Sequence, residues 1–174
     1  MPDQPMSSWT RWCRHLWLDA DDVRRYLPKD SLQRLEARVQ QSETRHRGEL
    51  RVCVEGGLGW AGLRADFHTH ARAVALFSQL RVWDTEHNNG VLIYLCLAER
   101  RIEILADRGI SSQVDPAVWQ AMVQSLSRHV KPGNFEAGLI ETIDQVGQWM
   151  KQLYPVCDRH PDNPDELPNA VVIP

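Results

Sequence analysis

Apolar positions recur along this chain at two spacings, and each change of spacing marks a change of element. Residues 91–97 are apolar almost without a break, which suits a strand covered on both faces. Residues 101–106 alternate Ile102, Ile104 and Ala106 with polar partners, as a half-buried strand does. The short Ala98-Glu99-Arg100 link predicts that these two strands form an antiparallel hairpin. Further upstream, ELRVCVE at 49–55 sets Leu50, Val52 and Val54 against Arg51, Cys53 and Glu55, predicting a third, half-covered strand.

Helical spacing fills the intervals. After Pro28, Asp30 or Ser31 is the expected cap of a helix that carries Leu32, Leu35 and Val39 on one face and stops near His46-Arg47-Gly48. Residues 66–80 carry Phe67, Ala71, Val74 and Ala75 on one side, predicting a crossover helix that makes the strand at 49–55 parallel to the one at 91–97. Asp115-Pro116 is an N-cap followed by proline at the first helical position, and Val118, Met122 and Leu126 form the face of the helix it opens. Lys131-Pro132-Gly133-Asn134 ends that helix; Phe135, Leu139, Ile143, Val146 and Met150 are the stripe of the last one. The expected order is α-β-α-β-β-α-α, an α/β fold in which a mixed sheet is sandwiched between helices as three α/β/α layers.

Two segments flank that unit. Residues 1–26 form an amphipathic aromatic arm, with Trp9, Trp12, Cys13, Leu16 and Trp17 at helical spacing. Its apolar face is expected either to dock on the protein's own body or to serve as a partner or peripheral membrane contact. Residues 27–155 form the domain proper. The proline-rich, acidic tail at 156–174 is expected to run extended over the surface, with residues 170–173 adding an edge strand.

Composition narrows the function classes. The 174 residues are 43% apolar and 25% charged, ordinary for one soluble domain. A net charge of -3 and a pI near 6.1, without clustered basic and stacking aromatic residues, argue against nucleic acid. No apolar run approaches the roughly 20 residues of a membrane-spanning helix. An early acidic residue and arginines inside the aromatic arm do not fit a secretory signal, so the expected location is the cytosol. Cys13, Cys53, Cys96 and Cys157 include no CxxC pair and predict neither a zinc site nor a disulfide framework. GGLGWAG at 56–62 lacks the lysine and hydroxyl of a phosphate-cradling loop and reads as a flexible connection.

The candidate chemistry lies at one rim of the sheet. In an antiparallel hairpin the start of one strand lies beside the end of the other, so Asn88-Asn89 should meet Asp107-Arg108. Asp84 and Glu86 approach the same rim, and His87 is placed to act as a general acid or base there. Carboxylates and amide oxygens on loops make the hard-oxygen set expected of Ca²⁺ or Mg²⁺. The alternative is that Asn89-Gly90 makes a tight turn, Asn88 caps loose backbone groups, and Asp107-Arg108 is a solvated strand end. Glu55 falls at the opposite rim, and His68 and His70 point about 200° apart on a helix, unsuited to sharing one metal. No nucleophile motif is present.

The NNGVLI run at 88–93, RRIEI at 100–104, DRGI at 107–110 and the later NFEAGLIETIDQVGQWM resemble the TPM domain family, named for its thylakoid-lumen, photosystem-repair and receptor-modulator founders. The resemblance covers about residues 27–155. It implies a compact α/β/α domain with a polar cavity near the asparagines, and Ca²⁺ binding, acid phosphatase activity or an accessory role at membrane complexes, as credited to different relatives. Asn88, Asn89 and Asp107 fall within the family's motifs; Asp84 and Glu86 are matched only by nearness. Many relatives carry a signal peptide and a membrane span or glycine-rich tail; neither is expected here, and that departure from the family's pattern points to a cytosolic branch. Two functions follow as expectations: a binding or accessory module with an ion site, or a metal-assisted phosphomonoesterase with Arg108 steadying the phosphate.

Overall fold

The central strand sets the architecture. In the computed structural model, which describes residue 15 and residues 17–58, 68–130, 134–156 and 166–174, β2 (Gly90–Cys96) is buried at every position. It pairs in parallel with β1 (Glu49–Glu55), from Glu49 opposite Gly90 to Glu55 opposite Cys96. On its other side it pairs antiparallel with β3 (Arg101–Ala106), from Val91 opposite Ala106 to Cys96 opposite Arg101. The sheet order is β1-β2-β3, the mixed α/β arrangement expected of these alternations.

Helices cover both faces. On one side, α1 (Ala20–Tyr26), α2 (Lys29–Glu43), α5 (Pro116–Val130) and α6 (Phe135–Leu153) enclose a core with Val52, Val54, Ile93 and Leu95. The α6 stripe of Phe135, Leu139, Ile143, Val146 and Met150 is buried as its spacing predicts. On the other side, α3 (Thr69–Gln79) packs over Cys53, Leu92, Tyr94 and Cys96. The described crossover helix buries Thr69, Ala73 and Leu76 instead of the expected face: Ala71 is exposed and Val74 is 50% exposed. Alanines contribute little to a stripe, and Leu76 is the large apolar residue that fixes which side meets the sheet. Phe67 and the side chain of Leu126 lie outside the described residues.

Several local expectations are corrected. Pro28, not Asp30 or Ser31, is the N-cap of α2; Ser31 is buried and donates to Glu136, which also holds Arg34. Residues 20–26 form a helix of their own because Asp19 closes a capping box with Asp22. Strand β1 is covered on both faces rather than half-covered. Of the glycine-rich run at 56–62, residues 59–62 lie outside the described residues, and the first two glycines are tightly packed: a Cβ on Gly56 would lie 2.5 Å from the Asp19 carbonyl oxygen, and one on Gly57 would strike the His15 carbonyl. These glycines let the backbone of the arm approach the sheet. The tail adds one bridge, Val172 beside Cys53, with Val54 N–H donating to the Val172 carbonyl and Val172 N–H to that of Val52.

The turn after α2 is closed by His46, which is fully buried. Its Nδ1 donates to the Gly48 carbonyl at 2.9 Å, leaving Nε2 to accept from the Ser42 hydroxyl at 2.9 Å. Burial holds its pKa down at about 4. A histidine kept neutral in the fold and free to protonate in the unfolded chain contributes stability that is complete above its ordinary pKa and lost as pH falls. Urea unfolding should therefore show stability dropping between pH about 6.5 and about 4, by roughly 1.4 kcal/mol per pH unit from this group. Substituting His46→Asn should flatten that slope; an unchanged slope in the variant would assign it elsewhere.

Candidate functional site

The amino-terminal rim of β2 is assembled by backbone contacts. Asn88 adopts φ 52°, a left-handed conformation that asparagine tolerates, and its carbonyl accepts the Gly109 N–H at 2.9 Å. Asp107 N–H donates to the Gly90 carbonyl at 2.9 Å. The two polar ends of the hairpin therefore meet, as the antiparallel register requires. Gly90 is needed because a Cβ there would strike the carbonyl of Val82; that contact presses the turn bearing Asp84 against the strand.

Asp107 does not end as a solvated strand terminus. It is the N-cap of a short helix, α4 (Arg108–Ser111), its Oδ1 accepting the Arg108 N–H at 2.6 Å. Its Oδ2 is buried and has no hydrogen-bond partner. Asn89, only 1% exposed, donates from Nδ2 to the Arg47 carbonyl at 2.7 Å, while its N–H donates to Thr85 Oγ1 at 3.0 Å. Asn89 Oδ1 is likewise buried without a partner. Buried polar atoms are nearly always paired, so two orphaned acceptor oxygens at one rim call for a donor or a cation. One carboxylate and one amide oxygen fit a hard ion that keeps part of its water shell.

The remaining candidates are more open. Asp84, Glu86 and Arg108 are exposed, and Asn88 and His87 are half-buried. Among the described residues, no three His, Cys, Asp or Glu side chains gather in a way that could hold a metal ion. His87 Nε2 lies 3.1 Å from Arg47 Nη1, and its ring stacks on Tyr154 with centroids 6.4 Å apart. A guanidinium can only donate, so His87 Nε2 accepts from Arg47.

Three rim residues escape a reading of local spacing. Arg47 reads only as part of a helix stop, yet its carbonyl orients Asn89. Tyr154 reads as a helix end, but its hydroxyl donates to the Gly109 carbonyl at 2.8 Å. Glu166, from the tail, accepts the Glu86 N–H at 2.9 Å. All three reach the rim across more than 40 residues of chain, where periodicity carries no signal.

The opposite rim is closed. Glu55 is 6% exposed; it takes Arg72 Nη2 at 2.7 Å and Nε at 3.0 Å, and the Tyr94 hydroxyl at 2.7 Å. Burial pushes the Tyr94 phenol well above its ordinary pKa. Beside it, Glu99 joins His15 Nε2 at 3.1 Å and the Thr69 hydroxyl at 2.5 Å. Burial raises the Cys53 and Cys96 thiols to about 12 and about 11, so neither is a thiolate at neutral pH. His68 and His70 share no partner; both are exposed, and His70 sits 3.1 Å from Glu103. Asp115 caps α5, accepting the Ala117 N–H at 2.8 Å. Trp9 and Trp12 lie outside the described residues, whereas Trp17 is 82% exposed. Among the described residues no helix is long and apolar enough to cross a membrane.

With this geometry in place, comparison with known proteins is informative. The TPM domain family profile matches residues 21–149. Among solved structures, the NMR structure of the BA42 protein from the psychrophilic bacterium Bizionia argentinensis is similar, with a TM-score of 0.73 and 26% identity over 85% of this chain and 95% of that one. No curated protein sequence matches.

Closure of the rim depends on Gly109. A Cβ there would lie 2.5 Å from the Asn88 carbonyl oxygen, 2.6 Å from that of His87 and 2.7 Å from the Tyr154 hydroxyl. Gly109→Ala should destabilise the protein by about 1–3 kcal/mol, the usual cost of forcing atoms into a packed site. Amide exchange should accelerate at Gly109 and Asp107 before the rest of β2; uniform exchange would show that the rim is not a separate unit.

Proposed function

This chain belongs to the TPM domain family, and from that premise we propose that it is a cytosolic binding and accessory module whose rim holds a divalent cation, Ca²⁺ or Mg²⁺, at Asn89 and Asp107. The observation that carries this is the pair of buried, partnerless oxygens, Asn89 Oδ1 and Asp107 Oδ2. Each such acceptor left dry costs about 1–3 kcal/mol. A hard cation offsets that cost and gains the Asp107 charge. Asp84 and Asn88 are the further ligands we assign, from the turn that Val82 presses onto Gly90. When bound, the ion supplies positive charge that ties this turn to the start of α4.

A binding role is favoured over catalysis by the state of the nucleophiles. The Ser42 hydroxyl and His46 form a hydrogen-bonded pair, but both are fully buried and no substrate can reach them. Cys53 and Cys96 are buried thiols. The exposed Trp17 supports the aromatic arm, with Trp9 and Trp12, as the contact surface for a protein partner or a membrane surface.

Calorimetric titration of CaCl₂ and MgCl₂ into the full chain should give a saturable heat for at least one ion, and Asp107→Asn should weaken it at least tenfold. Absence of heat from the wild-type chain would sink the ion site. Arg108, exposed one residue beyond Asp107, supports a metal-assisted phosphomonoesterase as the second reading. In that case small phosphate esters are hydrolysed in the presence of Mg²⁺ or Ca²⁺, and Asp107→Ala abolishes the turnover. Equal rates in the two proteins would remove it.

A further inference from the structure

The tail reaches the candidate rim by two routes. Glu166 Oε2 accepts the Glu86 N–H at 2.9 Å, on the turn that carries Asp84, His87 and Asn88. The next residue, Leu167, is only 6% exposed and packs in the same cluster as Val82 and Leu92. Its N–H donates to Glu49 Oε2 at 3.1 Å, and Glu49 itself is 2% exposed. Glu49 N–H donates to the Asn89 carbonyl at 3.3 Å. Five residues beyond Leu167, Val172 bridges β1 through two backbone hydrogen bonds. The chain thus holds residues 166–172 along the edge of β1 while Glu166 and Leu167 brace the turn from outside and beneath.

We propose that this C-terminal segment is a strap that positions the ion-binding turn, so that strap docking and cation binding are thermodynamically coupled; the inference rests on the ion site at Asn89 and Asp107. The physical route is short. Leu167 belongs to the same buried cluster as Val82, Val82 abuts Gly90, and Gly90 lies between Asn89 and the Asp107 hydrogen bond. Lifting the strap removes the Leu167 side chain from that packing, releases the Glu86 N–H and leaves the Glu49 carboxylate without its Leu167 donor. The turn then loses the contacts that hold Asp84 and Asn88 at the rim. Linkage makes the effect reciprocal: whatever the strap adds to ion affinity, the ion adds to strap docking by the same factor. Glu166 and Leu167 act as positioning residues: Glu166 bonds the Glu86 N–H of the turn and Leu167 bonds Glu49 and shares the buried cluster of Val82, so neither touches an assigned ligand.

The test uses the full chain, with CaCl₂ and MgCl₂ as the only probes. Calorimetry should give at least tenfold weaker ion binding in Leu167→Ala and in Glu166→Ala. Glu166→Gln, whose amide oxygen still accepts the Glu86 N–H, should restore near wild-type affinity, which a charge-supplying ligand would not allow. In parallel, hydrogen exchange at the Leu167 and Val172 amides of the wild-type chain should slow when the ion is added. Wild-type binding with unchanged affinity in both alanine variants, or no ion effect on those two amides, overturns the strap. If the wild-type chain binds neither ion, the ion site fails, and coupling as proposed fails with it. Exchange without ion then separates the two: faster exchange at the Glu86, Asn89 and Gly109 amides in Leu167→Ala upholds the brace itself, and unchanged exchange overturns that as well.

Discussion

Everything in this fold follows from the complete burial of β2. A strand covered on both faces and paired on both edges can carry no polar side chain along its length unless that group finds a partner, and only Tyr94 does so, through Glu55. Polar chemistry is therefore pushed to the two ends of the strand. At the carboxyl end it becomes a closed set of ion pairs. At the amino end it becomes Asn88-Asn89, with Gly90 as the hinge where the strand passes beneath the Val82 carbonyl. The abrupt change from asparagines to seven buried residues marks the depth at which the chain enters the core.

The same burial explains what the sequence reveals of the fold. The period of the α6 stripe, the unbroken apolar run of β2 and the short hairpin link are local properties, and each identifies its element and its neighbour. The pairing of Asn88-Asn89 with Asp107 follows from hairpin register alone, so the location of the rim is legible. The face of α3 is less so, because alanines at 71 and 75 mimic a stripe while one leucine, Leu76, decides the packing. The role of Asp107 as a helix cap is also hidden: Arg108-Gly109-Ile110-Ser111 is too short for periodicity to announce a helix. What brings Arg47, Tyr154 and Glu166 to the rim is tertiary contact over distant chain, for which spacing has no signature.

In the proposed site, capping and ion binding would draw on the same carboxylate. Asp107 spends Oδ1 on the Arg108 N–H, which fixes the side chain and leaves Oδ2 pointing into buried space. Such a cap pre-orients a ligand oxygen, so little rotamer entropy remains to be lost on binding. Asn89 is held by its main-chain N–H on Thr85 Oγ1 and by Nδ2 on the Arg47 carbonyl, with Oδ1 left unpaired. Two side chains each anchored by a hydrogen bond, with an acceptor oxygen left buried, differ from a solvated turn, where amide and carboxylate rotate freely into water. Arg47 contributes its carbonyl to this arrangement while its Nη1 donates to His87 and its Nε is buried without a partner.

Open α/β sheets commonly place their ligands outside the carboxyl ends of parallel strands. Here that end is filled. Glu55, Arg72 and Tyr94 satisfy one another beneath it, and the arm backbone lies against Gly56 and Gly57 while His15 bonds both Glu99 and the Leu58 N–H. Breaking a buried pair such as Glu55 with Arg72 costs about 3–5 kcal/mol, so this end resists opening. The amino end has the reverse character: buried groups without partners, Asn89 Oδ1, Asp107 Oδ2 and Arg47 Nε, a turn held by contacts from outside the hairpin, and exposed charges around it. The ion site we propose therefore lies at the end of the sheet opposite the one where α/β proteins commonly bind ligands, because the arm backbone lies against that other end.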